Sequence, residues 1–269
     1  ILINLSLMIY IKKNTNLVNN FLSKGFVIFD VENLSTLKYI KSLVLEKTFQ
    51  ILKKRKINYL KSDIFNNFHK YIHANELNDV RMEIYSKINA DKKILIKYAS
   101  LAQKKLDTLC GNEIAMQRKI NLSIQLSGDN SSLLPIHSDV WSGCSPYEIV
   151  LWVPLVDVKG SKSMFIFPKL LNDKIYKTFK GYNDSQKLFE KHKNKVKFLK
   201  LKYGQGLIFM HSIMHGNIVN STKESRWSLN CRIKSLMSPY YKKGIGETFV
   251  PLGIKPVTKF GMEYEHPEI

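Results

Sequence analysis

The spacing of apolar positions along this chain changes once, near Gly111, from a helical period to a strand-like one. Before it, Leu37, Ile40, Val44, Ile51 and Leu52 recur at helical spacing from Asn33 to about Arg55, with Asn33 and Ser35 as candidate caps. A second helix is expected from Asn75 to Ile88 and a third from Lys92 to Leu109. In the third, Leu95, Tyr98, Ala102, Leu106 and Leu109 make one stripe, and Gly111 stands where a helix stop belongs. Lys24 to Asp30 reads as a short strand after a turn-forming glycine. These helices carry no obvious chemistry. They are expected to cover one face of a sheet.

After Gly111 the period becomes two. Ile120 to Leu126 places Asn121, Ser123 and Gln125 on one side and apolar residues on the other. Glu148 to Val156 is apolar on both faces, as a central buried strand would be. Ser163–Phe167 and Gly206–Met210 are two further strands, and Arg226 to Ile233 is the last clear one. It sets Arg226, Ser228, Asn230 and Arg232 against Trp227, Leu229, Cys231 and Ile233. Two strands with one polar and one apolar face fit either a barrel with a polar interior or a sheet with one wet face. The tail after Ser238, with Pro239, Pro251, Pro256 and Pro267, reads as irregular structure wrapping the core.

Candidate chemistry favours the barrel. His137 and Asp139, two apart on an extended segment, project to the same side, and His215 follows 76 residues after Asp139. Two histidines and one carboxylate in this order make the facial triad that holds non-haem Fe(II) and leaves positions open for a co-substrate and O2. His215 is preferred over His211 as the distal ligand because Gly216 permits close backbone approach. His211 is then a supporting or core histidine; His69, His73, His192 and His266 read as surface or local structural residues. Arg226 and Ser228 suit the far carboxylate of 2-oxoglutarate, with Arg232 as the fallback. Gln125 and Asn121 are candidates for the opposite wall, and Trp141, Tyr147 and Trp152 for shielding the metal. A carboxylate third ligand leaves no position for a halide, so the expected chemistry is hydroxylation-type.

Composition adds three points. The chain of 269 residues fits one domain, and its net charge of +20 favours anionic partners unless it reflects lysine-rich usage alone. Lys169 to Lys202 holds eleven lysines against three acids, read as a solvated insert or as a lid over a phosphorylated substrate. The lysines lack interleaved aromatics, which argues against nucleic acid. Three cysteines without metal or disulfide spacing suit a reducing, cytoplasmic setting. The apolar start is far short of the ~20 residues of a membrane span. Met8 offers a better start than Ile1, so residues 1–7 are left aside and the domain is taken as 8–269.

The runs Glu113–Leu126, Ser131–Gly143 and Ser145–Asp157 resemble the sporadic carbohydrate-cluster 2-oxoglutarate-Fe(II) oxygenases, related to a streptomycin-biosynthesis oxygenase type and distantly to phytanoyl-CoA dioxygenases. The resemblance extends from about Gly25 to Ile233. It implies an α+β, mainly β fold: a double-stranded β-helix (a cupin-like jelly roll) at 113–235 behind helices at 33–111. It also implies iron on His137, Asp139 and His215, 2-oxoglutarate on Arg226, and a role in surface-glycan or aminosugar biosynthesis. Two rivals remain: a cupin-type sugar isomerase or epimerase, and an inactive basic protein that binds nucleic acid or anionic polysaccharide.

Overall fold

The computed structural model describes residues 15–177 and 185–267, so the proposed surplus start at 1–7 and part of the lysine-rich insert lie outside the described residues. The chain opens with α1 (Asn16–Lys24), stopped by Gly25 at φ 76°, and turns into β1 (Phe26–Asp30). A Cβ at Gly25 would have to displace the Ile213 Cδ1 methyl and would sit on a left-handed backbone, so the turn favours glycine. Helix α2 (Leu34–Lys54) starts where expected: Asn33 Oδ1 accepts from Thr36 N at 2.9 Å, while Ser35 only donates to that same oxygen. Its buried face carries the expected apolar residues and Thr48, whose hydroxyl bonds back to Val44 O. Then come α3 (Ile64–Asn67) and α4 (Ala74–Ile88).

The third expected helix is broken into α5 (Ile94–Ala99) and α6 (Gln103–Cys110). The break has a local cause. Leu101 O accepts from Glu32 N, while the Glu32 carboxylate accepts from Lys104 N and Lys105 Nζ, so the loop after β1 takes over groups a continuous helix would pair internally.

Seven strands form a large antiparallel sheet: β1, β7 (Gln205–Met210), β4 (Glu148–Pro154), β9 (Arg226–Ser235), β2 (Ile114–Gln117) and β10 (Phe249–Leu252) in that order, with β3 (Asn121–Gln125) also on β9. The length of β9 allows this, since β3 pairs along Arg226–Asn230 and β2 along Ile233–Ser235. A small sheet joins β6 (Lys197–Phe198), β5 (Phe165–Ile166) and β8 (His215–Gly216). The strand expected at Ser163–Phe167 is thus only two residues long.

The tail corrects the sequence reading. It holds β10, which pairs with β2, and α9 (Pro256–Glu263). Its prolines sit where proline is tolerated, Pro251 on a strand with one free edge and Pro256 in the first turn of a helix.

One apolar core runs from Phe26 to Ile233 and joins the helices to one face of the large sheet. Trp227 packs on Phe65 and Phe68, with ring centroids 4.8 and 4.7 Å away. The Tyr98 hydroxyl of α5 reaches Leu151 O and Leu229 O on neighbouring strands. A smaller cluster holds the insert. Ile175 of α7 (Lys169–Lys177) and Leu188 of α8 (Ser185–His192) pack with Phe165, Phe167 and Met214 behind the small sheet. None of the insert's described residues lines the cavity described below.

Candidate metal centre and co-substrate pocket

Between the two sheets lies a cavity of about 610 Å³. The polar face of β9 and its neighbours Asn121, Ser123, Val150 and Trp152 form one wall, and Met164, His215 and Gly216 lie on the side of the small sheet. Helix α4, expected to cover a sheet face, also reaches the cavity with Ala74, Leu77, Asn78 and Arg81.

His137, Asp139 and His215 all line this cavity. His137 and His215 exchange two backbone hydrogen bonds of 2.9 Å, which places their rings 4.3 Å apart by centroid. Gly216 makes that pairing possible, because a Cβ there would stand 2.9 Å from Leu134 O. Ser138 is extended (φ −125°, ψ 135°), so Asp139 projects on the side of His137 before the chain turns into the short helix Asp139–Ser142. Asp139 Oδ2 lies 4.0 Å from His215 Nε2.

Both imidazoles are oriented from behind. His137 Nδ1 meets Pro135 O at 2.8 Å and His215 Nδ1 meets Ile213 O at 2.9 Å. A carbonyl can only accept, so each Nδ1 carries the proton and each Nε2 presents a lone pair. Burial, with repulsion from His137, lowers the His215 pKa to about 4. Burial acts to raise the pKa of Asp139, but the charges of His215, His211 and Arg232 outweigh it and lower the value to about 2. Since His211 and His215, lowered to about 3 and about 4, are neutral at neutral pH, Arg232 is the cation beside Asp139 there. Its Nη2 stands 3.0 Å from Asp139 Oδ1. Arg232, read from the sequence as a fallback clamp, is thus the partner of the carboxylate.

Arg226 is 3% exposed. Its Nη2 donates to Ser123 Oγ at 3.2 Å, and its Nε has no partner among the described residues. Burial lowers its pKa to about 10, so it stays cationic at neutral pH, and no carboxylate pairs with it among the described residues. The neighbouring Ser228 Oγ is also buried without a partner. Asn121 lines the cavity and donates to Asn230 Oδ1. Gln125 does not line it: the side chain is buried opposite Arg226 in the strand pairing and donates to Ile218 O. Of the shielding candidates only Trp152 lines the cavity, whereas Trp141 and Tyr147 are 39% and 59% exposed and lie outside it.

A second group of potential ligands lies behind Asp139. Cys144, Glu148 and His211 are all buried, with ligand atoms within 4.8 Å of one another. His211 Nδ1 is 3.2 Å from Glu148 Oε2, and its Nε2 is 3.7 Å from Asp139 Oδ2. This group was missed in the sequence, where Cys144 and Glu148 follow no metal spacing and read as loop and strand residues. Lys243 Nζ approaches Cys144 Sγ to 2.9 Å, and none of the three residues lines the cavity. His211 links the group to the cavity through its approach to Asp139.

The chain matches no family model, and no curated protein matches it. Solved structures match it in fold. EctD from S. alaskensis, solved with 2-oxoglutarate and 5-hydroxyectoine, aligns with a TM-score of 0.57 at 14% identity, over 85% of this chain and 78% of that one. The chain shares its fold. The non-heme alpha ketoglutarate dependent carbocyclase SnoK from nogalamycin biosynthesis gives 0.55 at 10% identity, over 90% and 97% of the two chains. The non-heme monooxygenase ThoJ gives 0.52 at 14%, over 87% and 83%. Likeness at such identities extends to the fold, while chemistry belongs to the side chains in the cavity.

Proposed function

We propose that this protein is an Fe(II)- and 2-oxoglutarate-dependent oxygenase with a double-stranded β-helix core, acting on a small molecule. His137, Asp139 and His215 would hold the metal. Their free Nε2 atoms and the ionised carboxylate are the donor set that a facial Fe(II) site needs, and the open side faces the cavity. Arg226 would bind the far carboxylate of 2-oxoglutarate, with Ser228 beside it. Asn121 is read as part of the same wall; Gln125, bonded to Ile218 O, would support Arg226 from behind.

The observation that carries this reading is Arg226: a buried guanidinium with an unpaired donor, no counter-charge among the described residues, and an unpartnered hydroxyl two residues on. Such a group is costly to bury alone and suits a carboxylate. When bound, the metal supplies O2 activation coupled to oxidative decarboxylation of 2-oxoglutarate. The chain's own part is to fix the two imidazoles by their backbone carbonyls, hold Asp139 beside Arg232, and surround the reacting centre with Val150, Trp152 and Phe209. Two structural neighbours support this, EctD, solved with 2-oxoglutarate, and the alpha ketoglutarate dependent carbocyclase SnoK. Hydroxylation of a carbohydrate or nucleotide-sugar type of molecule, in surface-glycan or aminosugar biosynthesis, is the finer reading that the resemblance supports. A cytoplasmic setting fits three free thiols. No helix among the described residues is long and apolar enough to cross a membrane.

The test is an anaerobic titration with Fe(II) and 2-oxoglutarate, watching the visible charge-transfer band of the chelate. Wild type should develop the band, His137→Ala should lose it, and Arg226→Ala should need about 100-fold more co-substrate, in line with ~3 kcal/mol for a charge-assisted pair. A band that survives His137→Ala but not Cys144→Ser would move the metal to Cys144, Glu148 and His211. Metal binding without any response to 2-oxoglutarate would favour the cupin-type isomerase.

A further inference from the structure

Three arginines line the cavity: Arg81, Arg226 and Arg232. Asp139, the only carboxylate among the described lining residues, is taken by Arg232. On the reading above, the far carboxylate of 2-oxoglutarate takes Arg226. Arg81 is left over.

Its setting is specific. Strand β3 pairs only with β9, so its other edge is open, and α4 packs beside that edge. Arg81 Nη1 donates to Leu122 O on the open edge at 3.3 Å, and Nη2 donates to Asn78 Oδ1 at 2.7 Å. Both acceptors are neutral. No carboxylate pairs with Arg81 among the described residues. The two bonds therefore orient the guanidinium at the cavity wall without cancelling its charge, and its remaining donors are available to a ligand. A bound dicarboxylate offsets the dication at the metal centre, and Asp139 offsets one arginine, so the loaded cavity still holds surplus positive charge. Such a cavity selects a negatively charged second ligand.

We propose that Arg81 anchors an anionic group of the primary substrate, a phosphate or a carboxylate, so that the substrate class is an acidic small molecule. This rests on the co-substrate assignment above. It assigns the specificity to α4 and the edge of β3, not to the lysine-rich insert, whose described residues lie behind the small sheet.

The experiment uses the anaerobic protein loaded with Fe(II) and 2-oxoglutarate, titrated with glucose 6-phosphate, glucuronate and neutral glucose, and reads binding by calorimetry and by the shift of the chelate band. At least one charged sugar should bind tenfold or more tighter than glucose, roughly the worth of one charge-assisted contact. The phosphate and carboxylate arms show which anion is preferred. Arg81→Gln should abolish the preference and Arg81→Lys should keep part of it, both with the co-substrate requirement of wild type. Charged sugars that bind no better than glucose would overturn the proposal, as would a preference that Arg81→Gln leaves intact. A raised 2-oxoglutarate requirement in Arg81→Gln would make Arg81 part of the co-substrate clamp, which also overturns it. Loss of the chelate band in wild type is a separate result and would sink the oxygenase reading itself.

Discussion

His211 and His215 are kept neutral inside the fold, and that gives the protein a pH dependence with a definite sign. Burial is the larger cause for both and lowers their pKa values to about 3 and about 4. In the unfolded chain both titrate near ~6.5. As pH falls below that value the unfolded chain takes up protons that the folded chain refuses, so stability drops from about pH 6.5 down towards the folded values. Asp139, lowered to about 2, adds to the loss only below about pH 5, where the unfolded carboxyl (~3.9) begins to protonate while the folded one stays ionised. Glu148, raised by burial, acts in the opposite direction by holding its proton to higher pH in the folded state. Two depressed imidazoles, at ~1.4 kcal/mol for each tenfold loss of proton affinity, outweigh one raised carboxyl. The metal-free protein should therefore lose on the order of a few kcal/mol between about pH 7 and about pH 5 in urea unfolding. A flat profile would mean that the folded protein protonates these rings as readily as the unfolded chain does. At this scale the sequence singled out His137, Asp139, His215 and Arg226, which line one cavity, because a two-residue step and strand alternation fix which side chains share a face. It hid Arg81, since an arginine on an amphipathic helix looks the same whether its face meets water or a cavity. Gln125 shares the polar side of β3 yet is claimed by Ile218 O, a partner from a distant loop that alternation cannot reveal.

Helix α5 is short, and its place rests on tertiary contacts, since isolated helices of this length are unstable in water. Tyr98 is the clearest of them. It is fully buried, and its hydroxyl stands 3.0 Å from Leu151 O and 2.9 Å from Leu229 O, bridging β4 and β9 beneath the wall that carries Arg226 and Arg232. Tyr98→Phe keeps the ring and removes the hydroxyl that donates to those carbonyls, so it should cost about 1–3 kcal/mol by urea unfolding. Unchanged stability would show that the bridge adds nothing to the sheet. The element pattern was readable wherever one stretch of sequence both proposes and completes an element, as in α2 and β4. It failed where a distant segment decides. The stripe Leu95–Leu109 is continuous, but Glu32 breaks it into α5 and α6. Strand β10 carries a proline and finds its partner β2 more than a hundred residues upstream, so nothing local marks it.

The cavity is a property of the whole molecule, since α4, β3, β4, β9 and the small sheet each supply part of its wall and one apolar core joins the helices to the large sheet. A ligand set bound there favours the folded state alone, because the unfolded chain scatters His137, His215 and Arg226. Linkage then gives the size of the effect: at about 100 times the dissociation constant, stabilisation is ~2.7 kcal/mol. For a chain of this length each kcal/mol moves the melting temperature by roughly 2–4 °C, so saturation should raise it by about 5–10 °C. The increments separate the two ligands. Fe(II) alone should stabilise wild type and Arg226→Ala alike, whereas 2-oxoglutarate added after Fe(II) should shift wild type further and leave Arg226→Ala almost unmoved. His137→Ala should respond weakly to both, since a chelating co-substrate needs the metal for half of its contacts. Equal shifts in wild type and His137→Ala would mean that the metal sits elsewhere, and the buried group of Cys144, Glu148 and His211 would be the place to look.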